Sequence, residues 1–365
     1  MTIIAFLLVL IVLILVHELG HFVAAKLFGM RVDEFGLGYP PKVWGKKIGE
    51  TEYTFNALPF GGFVKIFGED LEEGHPASPR AFTSKPHYQQ AIVLLAGISM
   101  NLLFAWVLIS ATLTMGVPRA LSDAEVPHAV DAALTVAQVL PGSPASVAGL
   151  SVGDRILAVS TAGARYDGVD ALTFTEFTAA HASESPLTLT IDHAGETKSV
   201  PVTPAPGIIA SDPTRPALGI GLAVTGVVPV SILHAPIEGA VLTAEITKET
   251  AVALYHFFAG LFTFTADLSQ VAGPIGIAGA VGSATASGLA PLLTITALIS
   301  INLALINLLP IPALDGGRLL FVIIEAITRR PLNAGIVNAV NTIGFGLLVL
   351  LMLVVTAHDI FKIAG

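Results

Sequence analysis

The 365-residue chain is 53% hydrophobic and only 12% charged, which excludes an ordinary soluble enzyme and points to a membrane protein with a sizeable soluble part. It has no cysteine, so disulfides and thiolate metal sites are excluded, and any metal must be held by histidine and carboxylate. The net charge of −9, without a basic patch, argues against a nucleic-acid partner.

The first element is an apolar run from Thr2 to about Phe28, long enough to cross a bilayer. No basic stretch precedes it and no small-residue cleavage site comes after it, so residues 1–30 are expected to remain as a helix. Its inner half carries Val16-His17-Glu18-Leu19-Gly20-His21. On a helix, His17 and His21 project from one face and can take two positions on one metal ion, while Glu18 can reach a water on that ion as general base. Ionisable groups at membrane depth cost roughly 2.5–3.5 kcal/mol each on insertion scales, so three together imply a metal and a polar cavity.

Residues 31–87 form a connection with strand-like segments at Val32–Tyr39, Glu52–Leu58 and Gly61-Gly62-Phe63-Val64-Lys65-Ile66, punctuated by glycine and proline. They predict a small hairpin sheet beside the first helix, then a loop from Glu69 to Ser84. A second span covers Gln90–Met115, within residues 88–116. Residues 120–205 read as a compact α+β domain, with strands at Leu134–Leu140, Leu187–Ile191 and Lys198–Val202 and a helix at Phe174–His181. Its Pro141-Gly142-Ser143-Pro144-Ala145, Ala148-Gly149-Leu150 and Gly153-Asp154-Arg155-Ile156 resemble the signature of a bacterial-protease PDZ domain, which takes an extended peptide as an added strand. A purely steric role over a membrane cavity fits the same residues.

Residues 206–290 are expected to hold a Pro/Gly-rich linker with a short strand, then amphipathic, peripheral helices. The third span, residues 291–317, ends in Asn307-Leu308-Leu309-Pro310-Ile311-Pro312-Ala313-Leu314-Asp315-Gly316-Gly317. Asn302 and Asn307 are expected to face a protein interior, and the prolines to break the helix near the membrane surface. A loop (318–337) and a fourth span (338–358) complete the chain. Lysine and arginine concentrate in the links 31–87 and 318–337, which places these on the cytoplasmic side and the 116–290 segment outside. His17 then lies about 24 Å down its helix, at the depth expected for Asp315. Two imidazoles and one carboxylate leave a tetrahedral zinc one open position for water.

The chain thus reads as a polytopic α-helical membrane protein of about four spans, with a cytoplasmic-side, membrane-associated hairpin sheet and one extracytoplasmic PDZ domain. HELGH in the first span, the PDZ-like domain and NLLPIPALDGG together resemble the site-2 protease family, of the bacterial regulator-of-sigma-E protease type. Gly61-Gly62-Phe63-Val64-Lys65 and Gly273-Pro274-Ile275-Gly276 add to the likeness. The resemblance implies zinc (Zn2+) on His17, His21 and Asp315, Glu18 as catalytic base, and Asn307 positioning substrate or stabilising the oxyanion. It implies substrate contacts from Gly61, Gly62, Phe63, Val64, Asn302 and Asn101, with the sheet offering an edge strand to an unwound substrate helix. One departure is Ile98 in Ala96-Gly97-Ile98-Ser99-Met100-Asn101, where the family usually has a proline, which questions a local kink. Another is room for a single PDZ domain.

The implied activity is metal-assisted peptide hydrolysis in the bacterial cytoplasmic (inner) membrane. The implied substrates are single-span proteins already shortened outside, such as anti-sigma factors or remnant signal peptides; membrane lipids and a PDZ peptide ligand are the other expected partners. The alternatives are a metal transporter or sensor using the same ligands without hydrolysis, and a membrane-anchored PDZ scaffold whose metal is structural.

Overall fold

The computed structural model describes residues 2–69, 78–116, 118–182, 186–193, 195–209, 212–228, 230–263 and 272–364. Half of the predicted loop from Glu69 to Ser84, residues 70–77, and residues 264–271 of the predicted 206–290 segment lie outside the described residues. The chain forms two compact units, Met1–Thr112 with Ile232–Gly365, and Leu113–Ser231.

The first unit opens with α1 (Thr2–Leu27), then strands β1 (Val32–Ile48) and β2 (Thr51–Ile66), then α2 (His87–Thr114). The second unit holds β3 (Arg119–Ala120), β4 (Val130–Val139), α3 (Pro144–Val147), β5 (Arg155–Ser160), β6 (Arg165–Tyr166), α4 (Ala171–Ala180), β7 (Leu187–His193), β8 (Glu196–Val202) and β9 (Ile220–Val227). The first unit resumes with α5 (Ala235–Thr263), α6 (Pro274–Ser287), α7 (Leu289–Leu308), α8 (Asp315–Thr328) and α9 (Ala334–Ala364).

Four helices among the described residues are long and apolar enough to cross a membrane: α1, α2, α7 and Ala334–Phe361 of α9. They coincide with the four expected spans, and the protein is a membrane protein. Helix α5 carries Glu238, Glu245, Lys248 and Glu249 in its first half, which keeps it outside that set. α2 runs unbroken through Ile98, so the missing proline leaves no helix break.

Two elements differ from expectation. The third span and its motif are not one helix: α7 stops at Leu308, and Asp315 opens the separate α8, which occupies much of the predicted 318–337 loop. Pro310 and Pro312 make the break, while Leu319 and Val322 recur at helical spacing and pack inward, so the segment beyond is an amphipathic helix. Helix α6 is not peripheral either, because fully buried Val281 packs with Val9 and Leu13 of α1. Its Gly282 lies against Thr2 with no room for a side chain, which explains how a 14-residue helix reaches the bundle interior.

In the hairpin, the first half of β1 lies between the two halves of β2: Phe35 pairs with Val64 on one side and Tyr53 on the other. Among the described residues, the Gly62–Ile66 end of β2 therefore has a strand on one flank only. Val32 and Ile66 are buried with Ala24, Ala25, Met30, Phe82 and Val93, so the sheet is anchored on the C-terminal end of α1 and the N-terminal end of α2. Its tip is tied down as well, since Glu50 accepts hydrogen bonds from Lys26 (2.6 Å) and Arg80 (2.7 Å). Those cations hold the Glu50 carboxyl below the usual carboxylate range.

The second unit is a seven-stranded sheet of order β3-β9-β4-β5-β7-β8, with β6 on β5. Alternate residues Leu187, Leu189 and Ile191 of β7 face inward and meet Phe174 of α4, whose helix starts where Asp170 accepts a hydrogen bond from Thr173 N (2.6 Å). The predicted domain 120–205 is too short. β9, expected as a minor strand in a linker, sits between β3 and β4, pairing Ala223 with Thr135. Proline and glycine recur through residues 205–229, which is why its sequence looks like a linker, yet Ile220, Leu222 and Val224 alternate and pack on the core.

Phe174 is 2% exposed at the centre of this core. Truncating it, Phe174→Ala, is expected to destabilise the 113–231 unit by about 3–5 kcal/mol. Hydrogen exchange on the full-length protein in detergent should show β5 and β7 losing protection while α1 and α2 keep theirs.

Candidate metal centre

Helix α1 places His17 and His21 one turn apart, both 8% exposed. Their Nε2 atoms lie 3.2 Å from each other. Asp315, in the first turn of α8, brings its Oδ2 to 3.0 Å from His17 Nε2 and 3.2 Å from His21 Nε2. Among the described residues this is the one cluster of three or more such side chains able to share an ion. The donors fit a metal. Ligand atoms roughly 2.0–2.1 Å from a tetrahedral zinc stand ~3.3 Å from one another, close to these separations. Asp315 Oδ2 is also a buried acceptor without a hydrogen-bond partner, which a metal ion would satisfy.

The outer nitrogens of both rings are engaged. His21 Nδ1 lies 2.8 Å from the Val93 carbonyl of α2. It can only donate there, which leaves Nε2 as the lone-pair donor. His17 Nδ1 lies 3.2 Å from the amide of Asn101, also on α2. With that amide turned so that its otherwise unpartnered Oδ1 faces the ring, it accepts Nδ1–H and frees His17 Nε2 in the same way. Ser300 of α7 donates to the Asn101 carbonyl at 2.8 Å, tying a third helix to this support.

Asn101, expected from sequence to contact substrate, is fully buried and turned to His17. Asn302 also differs: it is exposed rather than interior, and its amide donates to Leu298 O of its own helix (3.0 Å). Asn307 is half-buried in the last turn of α7. Val93 and Ser300 were not singled out from sequence. A backbone carbonyl leaves no sequence signal, whereas Ser300 shares a buried stripe with Thr296 and Ala304 at helical spacing, and that pattern could have found it.

Glu18 points off the same turn, half-buried, toward the sheet. A Cβ on Gly62 would come within 2.9 Å of Ile14 and 3.4 Å of the Glu18 stem, so the one-sided end of β2 runs directly beside the HExxH turn. Phe63 stacks on Tyr39, whose ring also fills the space beside Gly61 (φ +109°), while Val64 packs toward the core of the sheet. Gly61, Gly62, Phe63 and Val64 thus occupy one segment next to Glu18. Arg318 of α8 pairs with Glu69, just beyond β2, at 2.7 Å and links the Asp315 helix to the strand.

Close approach of α2 to the imidazoles depends on Gly97. A Cβ there would fall 2.3 Å from His21 Nε2 and 2.9 Å from His17 Cε1. Gly97→Ala is expected to displace the rings and weaken metal binding by roughly 10–100-fold, measured by chelator competition on protein that remains folded in detergent.

Comparison with known proteins identifies the family. The family model described as Peptidase family M50 matches residues 5–351. A Clostridium perfringens chain is 36% identical over 350 residues, covering 95% of both chains. A protein of Geobacillus kaustophilus named zinc metalloprotease RasP is 32% identical over 441 residues, covering 99% of this chain and 98% of the relative. One of the same name from Bacillus licheniformis is 30% identical over 443 residues, covering 99% of each. With a match that spans both the HExxH helix and the Asp315 turn, the chain belongs to peptidase family M50.

Proposed function

We propose that the protein is an intramembrane zinc metalloprotease, with His17, His21 and Asp315 as the metal ligands and Glu18 as the general base. The observation that carries this reading is the convergence of three donor atoms within 3.2 Å of one another, from helices near opposite ends of the sequence, beside Glu18. The zinc named for the relatives suits a nitrogen–nitrogen–oxygen donor set.

Bound there, zinc supplies Lewis acidity, making water acidic enough to ionise near neutral pH and polarising a carbonyl. Glu18 takes the proton from the attacking water and passes it to the departing amine, a contribution typically worth roughly 10²–10⁴-fold in rate. Asn307, at the end of α7, donates to the developing oxyanion, an interaction of roughly 2.7–4 kcal/mol. A helical substrate hides its carbonyls in its own hydrogen bonds. The free flank of Gly61–Ile66 accepts the unwound segment as an added strand, which compensates its exposed backbone groups and lays the scissile bond beside Glu18.

Membrane-spanning proteins are the substrates, single-span chains such as pre-cleaved anti-sigma factors or remnant signal peptides. The lysines and arginines of residues 31–87 and 318–337 support a centre near the cytoplasmic side of a bacterial inner membrane, with lipid around the spans. The 113–231 unit then lies outside and serves as a PDZ domain, binding a peptide end or excluding bulky chains.

Cleavage of a model single-span substrate in detergent tests the assignment. Glu18→Gln is expected to retain zinc and lose cleavage by at least about 10²-fold, and a chelator is expected to abolish wild-type cleavage until zinc is restored. A transporter or sensor needs no general base, so metal-dependent activity that survives Glu18→Gln would replace the protease reading.

A further inference from the structure

Asp315 is set by the turn before it, and that turn is held from outside. Pro310 and Pro312 have no N–H to offer. Leu309, Ile311 and Leu314 bond back within the segment, to Ile306 O (3.1 Å), Leu309 O (2.7 Å) and Ile311 O (3.2 Å). Ala313 N–H is left, and it donates to Asn341 Oδ1 of α9 at 3.3 Å. Ala313 also stands at φ +73°, a left-handed conformation that disfavours any residue with a Cβ. One helical turn beyond Asn341, Gly344 is buried against Pro312, where a Cβ would meet the proline ring at 2.5 Å and its carbonyl at 2.9 Å. An asparagine in an apolar span is costly unless it has a task, and this one spends its acceptor on the strained residue two positions before Asp315.

We infer that Asn341 and Gly344 are positioning residues: the fourth span, which carries no ligand, holds Ala313 in its left-handed conformation and thereby aims the Asp315 carboxylate at His17 and His21. Gly344 provides the contact surface and Asn341 the directional bond. The inference rests on the metal-centre reading above and adds α9 to the elements that centre requires.

The test measures metal, not turnover. Full-length protein in detergent is loaded with zinc and titrated with a competing chelator, and cobalt-substituted samples are followed by their visible absorption, which reports ligand geometry. Asn341→Ala is expected to weaken zinc binding roughly 10–100-fold, the range typical of groups that orient a ligand, and to change the cobalt spectrum. Adding Ala313→Gly to it is expected to restore both, because glycine adopts a left-handed φ without an external bond. Asn341→Asp, which keeps an acceptor oxygen, is expected to behave as wild type and serves if Asn341→Ala fails to fold; Gly344→Ala is expected to mimic Asn341→Ala. Wild-type affinity and spectrum in Asn341→Ala would overturn the inference, as would a loss that Ala313→Gly does not repair. Failure of the wild type itself to bind zinc would instead overturn the metal-centre reading.

Discussion

The first unit depends on the cost of gathering three electron-pair donors in an apolar helical bundle. Each donor is expensive alone, at roughly 2.5–3.5 kcal/mol for an ionisable group at membrane depth, and they repel when their lone pairs face one another. The structure offsets this by engaging the far side of each ring. Val93 O takes the outer nitrogen of His21 and Asn101 that of His17, so both inner nitrogens remain available as lone-pair donors. The packing of α2 on α1 serves this purpose. Gly20 meets the Ala96 carbonyl and Gly97 meets both imidazoles, and a methyl group at either position would force the helices apart.

The same helix turn also supports the sheet. Gly62 lies against Ile14 and the stem of Glu18, Glu50 is bound to Lys26 in the last turn of α1, and Glu69 reaches Arg318 one turn beyond Asp315. The proposed base, the proposed ligands and the one-sided strand beside them are therefore parts of one connected assembly. That matters for peptide hydrolysis, because a scissile carbonyl displaced by about 1 Å from its productive geometry loses rate on the order of 10²-fold.

Much of this was readable in advance, for identifiable reasons. Spans announce themselves by unbroken apolar runs, and His17, Glu18 and His21 are adjacent on one turn, so their geometry is local. Asp315 could be brought to them by counting depth across two spans. The reading failed where neighbours decide. Asn101 and Asn302 are both asparagines in apolar helices and look alike in sequence, yet one is locked onto His17 and the other bonds to its own helix backbone. β9 looked like a short strand in a linker because proline and glycine surround it, and only its pairing with β3 and β4 makes it an interior strand of the sheet. α8 was hidden behind Pro310 and Pro312, which rightly predicted a break but carried no signal for a new helix on the far side of it.

By itself, the order of residues determined the membrane character of the chain, the four spans, the chemistry of the donor set and the presence of a sheet near the HExxH turn. These stem from composition and short-range periodicity, which act within one or two helical turns. Tertiary structure alone decided which polar groups support the ligands, which flank of the hairpin is left open beside Glu18, and how a helix break is held so that Asp315 points inward. Those outcomes depend on contacts between residues far apart in the chain, where a hydrogen-bond partner or the absence of a side chain is set by the neighbouring helix.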